Sequence, residues 1–206
     1  MSTFPDTRYL LLDHASMLAS TDGLAGLSAA RVARAARLSK ATVHGHLGGR
    51  ERLHVSVLDH AVWELVRDVV IPARRAPRGV RRLEALLRRW MAWNSDGYYP
   101  GGSPLIAIAT EFDDRPGPVR ERLLRWCAAW RRCLGREVAH ARRAGELSQA
   151  SDPDQFVHDY QGIMLAYHLA ERLVRDLDAQ ARALRAFDSL VGREVDRPGP
   201  SGNAVN

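Results

Sequence analysis

Between Ser28 and Leu53 the chain sets Arg31, Arg34, Arg37, Lys40, Thr42, His44, His46, Arg50 and Arg52 around a few apolar positions: Val32, Ala33, Ala36, Leu38, Val43 and Leu47. Guanidinium, ammonium, hydroxyl and imidazole groups at this density donate hydrogen bonds to anionic oxygens. Arg and Lys also match the acceptor edge of guanine, and Thr meets a thymine methyl. No nucleophile with an adjacent base stands among them, so the chemistry offered is recognition of a polyanion. Phosphate contacts are expected from Ser28, Lys40, Thr42, His44, His46, Arg50 and Arg52, and base contacts from Arg37, Lys40, Ala41 and Thr42.

Two short helices must carry these groups. Ser28 caps the first and Ser39 the second, with a tight turn at Ala36, Arg37 and Leu38 between them. An apolar inside and a cationic outside on such a pair describe a helix-turn-helix, in which the second helix enters a major groove. The charge balance agrees. The net charge is +6, and residues 1–53 hold seven Lys or Arg against four Asp or Glu. A basic surface of this kind favours a polyanionic partner such as double-stranded DNA. Lys40 is the only lysine in the chain.

The rest of the chain reads as helix. Leu11, Leu12, Ala15, Leu18 and Ala19 form one stripe over 7–22, which Gly23 ends. A long helix from Glu51 to about Val70 repeats Leu53, Val57, Ala61, Leu65 and Val69 every four residues, and Pro72 and Pro77 close it. Further amphipathic helices follow over 78–96, 119–144, 153–176 and 178–191. Two loops, 97–104 and 113–118, flank a short apolar segment, Leu105–Phe112, whose length admits strand or helix. Asp152-Pro153-Asp154-Gln155 reads as a capping box with proline at the first helical position. The fold class expected is all-α, with a three-helix helix-turn-helix domain over 1–53 and a helical domain over 54–195. The tail, 196–206, is expected to be disordered.

Other chemistries find little support. His44 and His46 diverge on one helix, His54 and His60 are misaligned, and no Cys or carboxylate cluster has zinc-like spacing, so neither a metal nor a cofactor is expected. Glu111, Asp113 and Asp114 sit at a helix-loop junction without a nucleophile, so an enzyme is not expected. Cys127 and Cys133 lie six apart on one helix, about 9 Å in rise, too far for a disulfide. No apolar run approaches a membrane span, and Met1–Asp6 lacks the apolar core of a signal peptide. The protein is expected to be soluble and cytoplasmic, with no membrane partner. Large side chains at Trp90, Trp93, Phe112, Trp126, Trp130, Tyr160, Met164 and His168 fall on helix faces that could converge on a ligand. The same spacing also describes plain core packing.

Residues 8–58 resemble the TetR family of bacterial transcriptional regulators. The resemblance rests on Leu11-Leu12, Ala15, Leu18, Gly23, Ser28, Val32-Ala33, Ala36, Leu38-Ser39-Lys40, Thr42-Val43, His46-Leu47 and Arg50-Glu51-Arg52-Leu53. Pro100-Gly101-Gly102, Ala109–Phe112 and Asp113–Arg120 are similar to one C-terminal subgroup. The resemblance implies a C-terminal ligand-binding and dimerisation domain. It also implies a homodimer on a palindromic operator, and release by an as yet unidentified small-molecule effector, most often as a repressor. Residues 119–144 and 153–176 carry apolar stripes long enough for the dimer bundle it implies. The chain departs from the family at four positions. Arg37, Ala41, His44 and Leu47 replace the usual Gly, Gly, Tyr and Phe. Arg37 is expected to cost roughly 1 kcal/mol if the turn needs a left-handed residue. Arg37 and Leu47 also sustain a second reading: a helical ligand-binding or interaction module with a vestigial helix-turn-helix.

Overall fold

The computed structural model describes residues 6–95 and 99–196, and the expected disordered tail from residue 197 onward lies outside them. Ten α-helices are present among the described residues: α1 (Thr7–Asp22), α2 (Ala29–Ala36), α3 (Lys40–Leu47), α4 (Arg50–Leu65), α5 (Ile71–Ala73), α6 (Val80–Ser95), α7 (Pro104–Phe112), α8 (Pro118–Arg143), α9 (Pro153–Leu169) and α10 (Ala179–Val195). No strand occurs among these residues, which resolves the Leu105–Phe112 segment as helix, begun by Pro104. The described residues divide into two compact units, one within 1–68 and 93–127 and the other within 69–92 and 128–196.

In the first unit α1 packs on α2, α4 and α7. Leu11, Ala15 and Ala19 of α1, Val32 of α2, Val43 of α3 and Val57, Leu58 and Ala61 of α4 are wholly or almost wholly buried. Asp6 caps α1 through the Arg8 N–H. Gly23 ends it at φ +64°, a conformation that a side chain resists. The loop before α7 closes on the same helix. The Gly101 N–H donates to Ser20 Oγ at 3.0 Å, and any side chain at Gly101 would run into the Ser20 backbone. The Ser103 N–H, at the start of α7, donates to Asn94 Oδ1 at 3.0 Å.

The sequence pattern extends α4 as one uniform helix to Val70, closed by Pro72. Instead α4 widens into a π-helical turn, Val66–Val70, and Pro72 sits inside the short α5 that follows. Proline has no N–H to donate and its ring crowds the carbonyl four residues back. One wider turn accommodates it without ending the rod.

The second unit is built on α9 and α10, which pack along each other, with the core side chains Leu83, Leu87, Leu134, Val138, Phe156, Tyr160, Phe187 and Leu190 buried. Tyr160 donates to the Leu83 carbonyl at 2.9 Å and meets the Phe187 ring edge-on at 6.0 Å. Asp152 caps α9 as expected, accepting from the Asp154 and Gln155 N–H groups. The reciprocal half of the box is not made: the Gln155 amide turns outward to Asp159 at 2.8 Å. The last helix runs past Val191 to Val195, and the Glu194 carbonyl takes hydrogen bonds from Ser148 N–H and Ser151 Oγ. Cys127 and Cys133 are free and half-buried. No helix among the described residues is long and apolar enough to cross a membrane.

Candidate nucleic-acid interface

Local chemistry fixes α3. Ser39 Oγ accepts the Thr42 N–H at 3.0 Å and lies 2.8 Å from Thr42 Oγ1, so one hydroxyl caps the helix and orients the next. Val43 and Leu47 turn inward and are buried, while Lys40, Ala41, His44 and His46 are exposed and Thr42 is half-buried. Ser28 caps α2 through the Arg31 N–H at 3.3 Å, and its own side chain stays on the surface.

Arg37 takes the left-handed conformation, φ 56° and ψ 38°, at the C-cap of α2. The turn is therefore not reshaped around it. Leu38 N–H returns to the Ala33 carbonyl at 2.9 Å, as a left-handed helix ending requires. The strain expected for a non-glycine residue is present, and the guanidinium is exposed beside the start of α3.

The structure brings Ser28, Lys40, His44 and Arg50 to one concavity of about 350 Å³, whose floor is Ala25–Ala30, Gly48, Gly49 and Leu53. Arg50 donates to the Ala25 carbonyl at 3.2 Å, which holds the N-terminus of α4 against the turn before α2. Among the described residues none of Arg34, Arg37, Lys40, Arg50 and Arg52 forms an ion pair, so this face presents uncompensated positive charge. Arg37, Ala41, His46 and Arg52 are exposed but do not line the concavity. Next to Leu53 in the chain, His54 has an imidazole that burial holds below its usual pKa, with the Arg50 charge adding to the effect.

Three supporting residues escape the sequence pattern, Arg8 and Glu111 because their partners are distant in the chain and Arg31 because it folds back onto the preceding turn. Arg8 donates to the His46 carbonyl at 2.6 Å and to Ser56 Oγ at 3.3 Å, tying α1 to the end of α3. Arg31, placed by its charge among the cationic outer face, is turned to the Gly26 carbonyl at 2.6 Å and to Asp22. Glu111 accepts the Leu24 N–H, a role that no local spacing signals.

The eight aromatic, Met and His side chains are divided between the units. Trp90, Trp130, Tyr160, Met164 and His168 belong to the second, and all but the half-buried His168 are buried there. Trp90 meets Tyr167 edge-on at 5.9 Å. Trp93, Phe112 and Trp126 belong to the first unit. Trp93 packs on Tyr99, and Phe112 lies under the Arg115 guanidinium. A concavity of about 560 Å³ in the second unit has other walls, among them Gly162, Ala166, Tyr167, Ala183, Ala186 and Arg193 of α9 and α10.

Residues 79–187, just over half of the chain, match the family described as Tetracyclin repressor-like, C-terminal domain. The chain belongs to the TetR family. No curated protein sequence matches it. Solved structures do. A TetR-family transcriptional regulator from Cytophaga hutchinsonii is 21% identical with a TM-score of 0.73, over 90% of this chain and 92% of its own. A TetR regulator from Chloroflexus aurantiacus J-10-FL is 22% identical with a TM-score of 0.75, over 93% and 95%. AibR, solved with isovaleryl coenzyme A and operator DNA, is 22% identical with a TM-score of 0.68, over 90% and 96%. At these identities the likeness is one of fold. This TetR-family chain thus has the all-α architecture of its family, an N-terminal helix-turn-helix followed by a C-terminal helical domain. It has the fold of a TetR-type transcriptional regulator, a class of DNA-binding proteins that are not enzymes.

Proposed function

We propose that this TetR-family chain is a dimeric repressor that binds a palindromic operator and leaves it when a small-molecule effector binds. The observation that carries the reading is the uncompensated cationic face around α3, where Ser28, Lys40, His44 and Arg50 converge on one concavity. In this reading Arg37, Lys40, Ala41 and Thr42 read base edges, and Ser28, His44, His46, Arg50 and Arg52 hold phosphates. A phosphate seated between Ser28 and Arg50 would meet the N-terminus of α2, whose amide groups suit an anion.

Residues 1–53 form the DNA-reading part and 54–195 the effector and dimer part. In the second unit Trp90, Trp130, Tyr160, Met164 and His168 are the walls that an apolar, flat effector would displace. Two copies would meet through α9 and α10, not through the 119–144 stripe expected from the sequence, since its Val119, Leu123, Trp130, Leu134, Val138 and Ala141 are already buried within the single chain. Support comes from Leu165, Leu169, Leu173, Val174 and Leu177, which are all exposed on α9 and the turn after it. Effector binding would favour a spacing of the two α3 helices that no longer matches successive major grooves, about 34 to 36 Å apart. AibR, solved in complex with isovaleryl coenzyme A and operator DNA, supports a fold that takes both kinds of partner.

The test is binding of the full chain to the palindromes upstream of its own gene, followed by fluorescence anisotropy across a salt series. Binding should weaken steeply with salt, and Lys40→Ala should weaken it further with no change in dimerisation. Salt-insensitive binding, or affinity unmoved by Lys40→Ala, would remove the proposed role of α3.

A further inference from the structure

One buried polar cluster of the first unit lies apart from the DNA-facing side chains. Tyr9 and Asp13 stand on α1. His60 and Glu64 stand one turn apart on α4, and Arg67 and Asp68 follow in the π-helical turn. Asp13, His60 and Glu64 each direct one potential ligand atom to a common point, all within 4.8 Å of one another. The side chains of His60 and Glu64 are 5% and 0% exposed. His60 Nε2 and both carboxylate oxygens of Glu64 make no hydrogen bond, and the two groups stand 3.7 Å apart. Buried imidazole and carboxylate groups in native proteins are almost always satisfied, so these three atoms of His60 and Glu64 ask for a partner.

Arg67 is only a shared ion-pair partner of Glu64. Its nearest approach to Glu64 is 3.5 Å. Its nitrogens are engaged elsewhere, two on the Asp68 carboxylate at 2.6 and 2.5 Å and one on the Tyr9 hydroxyl at 3.1 Å. Arg67 and Asp68 thus neutralise each other. Two carboxylates and one imidazole make a donor set suited to a dication. The imidazole is also held in place, edge-on to Tyr9 at 5.2 Å and stacked on Trp63 at 5.7 Å.

We propose that Asp13, His60 and Glu64 form a binding site for a divalent transition ion of the zinc class. One nitrogen and two oxygens suit that class, with metal-ligand distances of about 2.0 to 2.2 Å and a remaining position for water. Those distances require the three ligand atoms to draw in by about 1 Å, within the reach of side-chain rotation. Magnesium and calcium are disfavoured, since they take all-oxygen shells of six or more ligands. The ion would staple α1 to α4, a link separate from the reading of α3. The sequence hides the site because only His60 and Glu64 share a helix; Asp13 arrives from 47 positions earlier in the chain.

The test uses the full chain stripped with a chelator, then titrated with Zn²⁺ alone by calorimetry and with Co²⁺ alone by absorption and tryptophan fluorescence. Expected are one ion per chain and a Co²⁺ visible band. Quenching should vanish in Trp63→Phe, and excess Mg²⁺ should not compete. Glu64→Gln and Asp13→Asn, which keep side-chain shape, should each weaken binding by about tenfold or more. Added Zn²⁺ should raise the Tm of the unmodified chain but not of the variants. Absence of saturable binding at micromolar Zn²⁺ would overturn the site. So would stoichiometric binding unchanged in both variants, which would place the ion on surface histidines.

Discussion

Glu111 Oε2 lies 2.6 Å from the Leu24 backbone nitrogen and accepts its N–H, joining α7 to the turn that follows α1. The fit is close. Gly23 sits at φ +64°, and a side chain there would strike the same carboxylate. Arg115, 3.2 Å from the other oxygen, holds Glu111 from its solvent side. Glu111 thus fixes the segment that leads from α1 into the helix-turn-helix.

Glu111→Ala should therefore destabilise the chain by about 1 to 3 kcal/mol, the cost of leaving a largely buried N–H unpaired. Glu111→Gln, which keeps an acceptor oxygen, should recover part of the loss. Urea unfolding of both variants checks the order. Equal stability of Ala and Gln variants would mean that the carboxylate charge, paired with Arg115, and not the acceptor oxygen, matters.

Arg37→Gly should move stability and DNA affinity in opposite directions. At φ 56° and ψ 38° glycine relieves the strain of a left-handed residue, for a gain of roughly 1 kcal/mol. Loss of one cation from the interface should weaken operator binding and make the salt slope shallower by about 1. Thermal unfolding reports the first effect and anisotropy across a salt series the second. A Tm that fell would show that the guanidinium stabilises the free protein more than the turn strains it.

Much of this was legible in the sequence, for physical reasons. Ser28, Ser39 and Asp152 announce their helices because a cap acts within three residues. The buried stripe of Val32, Ala33, Val43 and Leu47 follows from helical period, and the strain at Arg37 from the turn's need for a left-handed residue. What escaped depends on contacts between distant segments. The Glu111 to Leu24 bond spans 87 positions and Arg8 to His46 spans 38, and neither leaves a local pattern. Pro72 was misleading in another way. Its missing N–H predicts a helix end, but a π-helical turn absorbs the defect and the rod continues.

Glu137 should give the second unit a pH dependence of definite sign. Burial pushes its carboxyl upward, but the Gly79 N–H at 3.1 Å and Arg78 and Arg82 at 3.3 and 3.6 Å outweigh it, so the group lies below the ordinary carboxylate range. A depressed carboxylate stabilises the fold above its unfolded pKa, and the contribution is lost as pH falls through the folded value. Glu137→Gln should thus cost about 1.5 to 3 kcal/mol at neutral pH, the worth of hydrogen bonds to a charged group. The gap between variant and parent should close in acid. Denaturant midpoints at several pH values would measure it, and a gap independent of pH would assign the loss to packing.

The proposed dimer face yields the last prediction. Leu165, Leu169 and Leu173 recur every four residues and are 57%, 53% and 75% exposed. Beside them Gly162, Ala166, Ala170, Ala183 and Ala186 line a groove that Tyr167, Arg182 and Arg193 also border, so a second helix pair would pack against its small residues. Fully burying a leucine contributes about 1.5 to 3 kcal/mol, so the row of three favours association when paired with its own copy across a two-fold axis. Leu169→Glu should then produce a monomer by sedimentation, with helical content unchanged because the residue has no core partner to lose in the single chain. Operator binding should fall by a factor of about 10² to 10⁴, since each half-site must be occupied separately once the two α3 helices are no longer tethered. A variant that stayed dimeric would move the interface off α9. A monomer that kept full operator affinity would contradict the two-fold reading of the DNA.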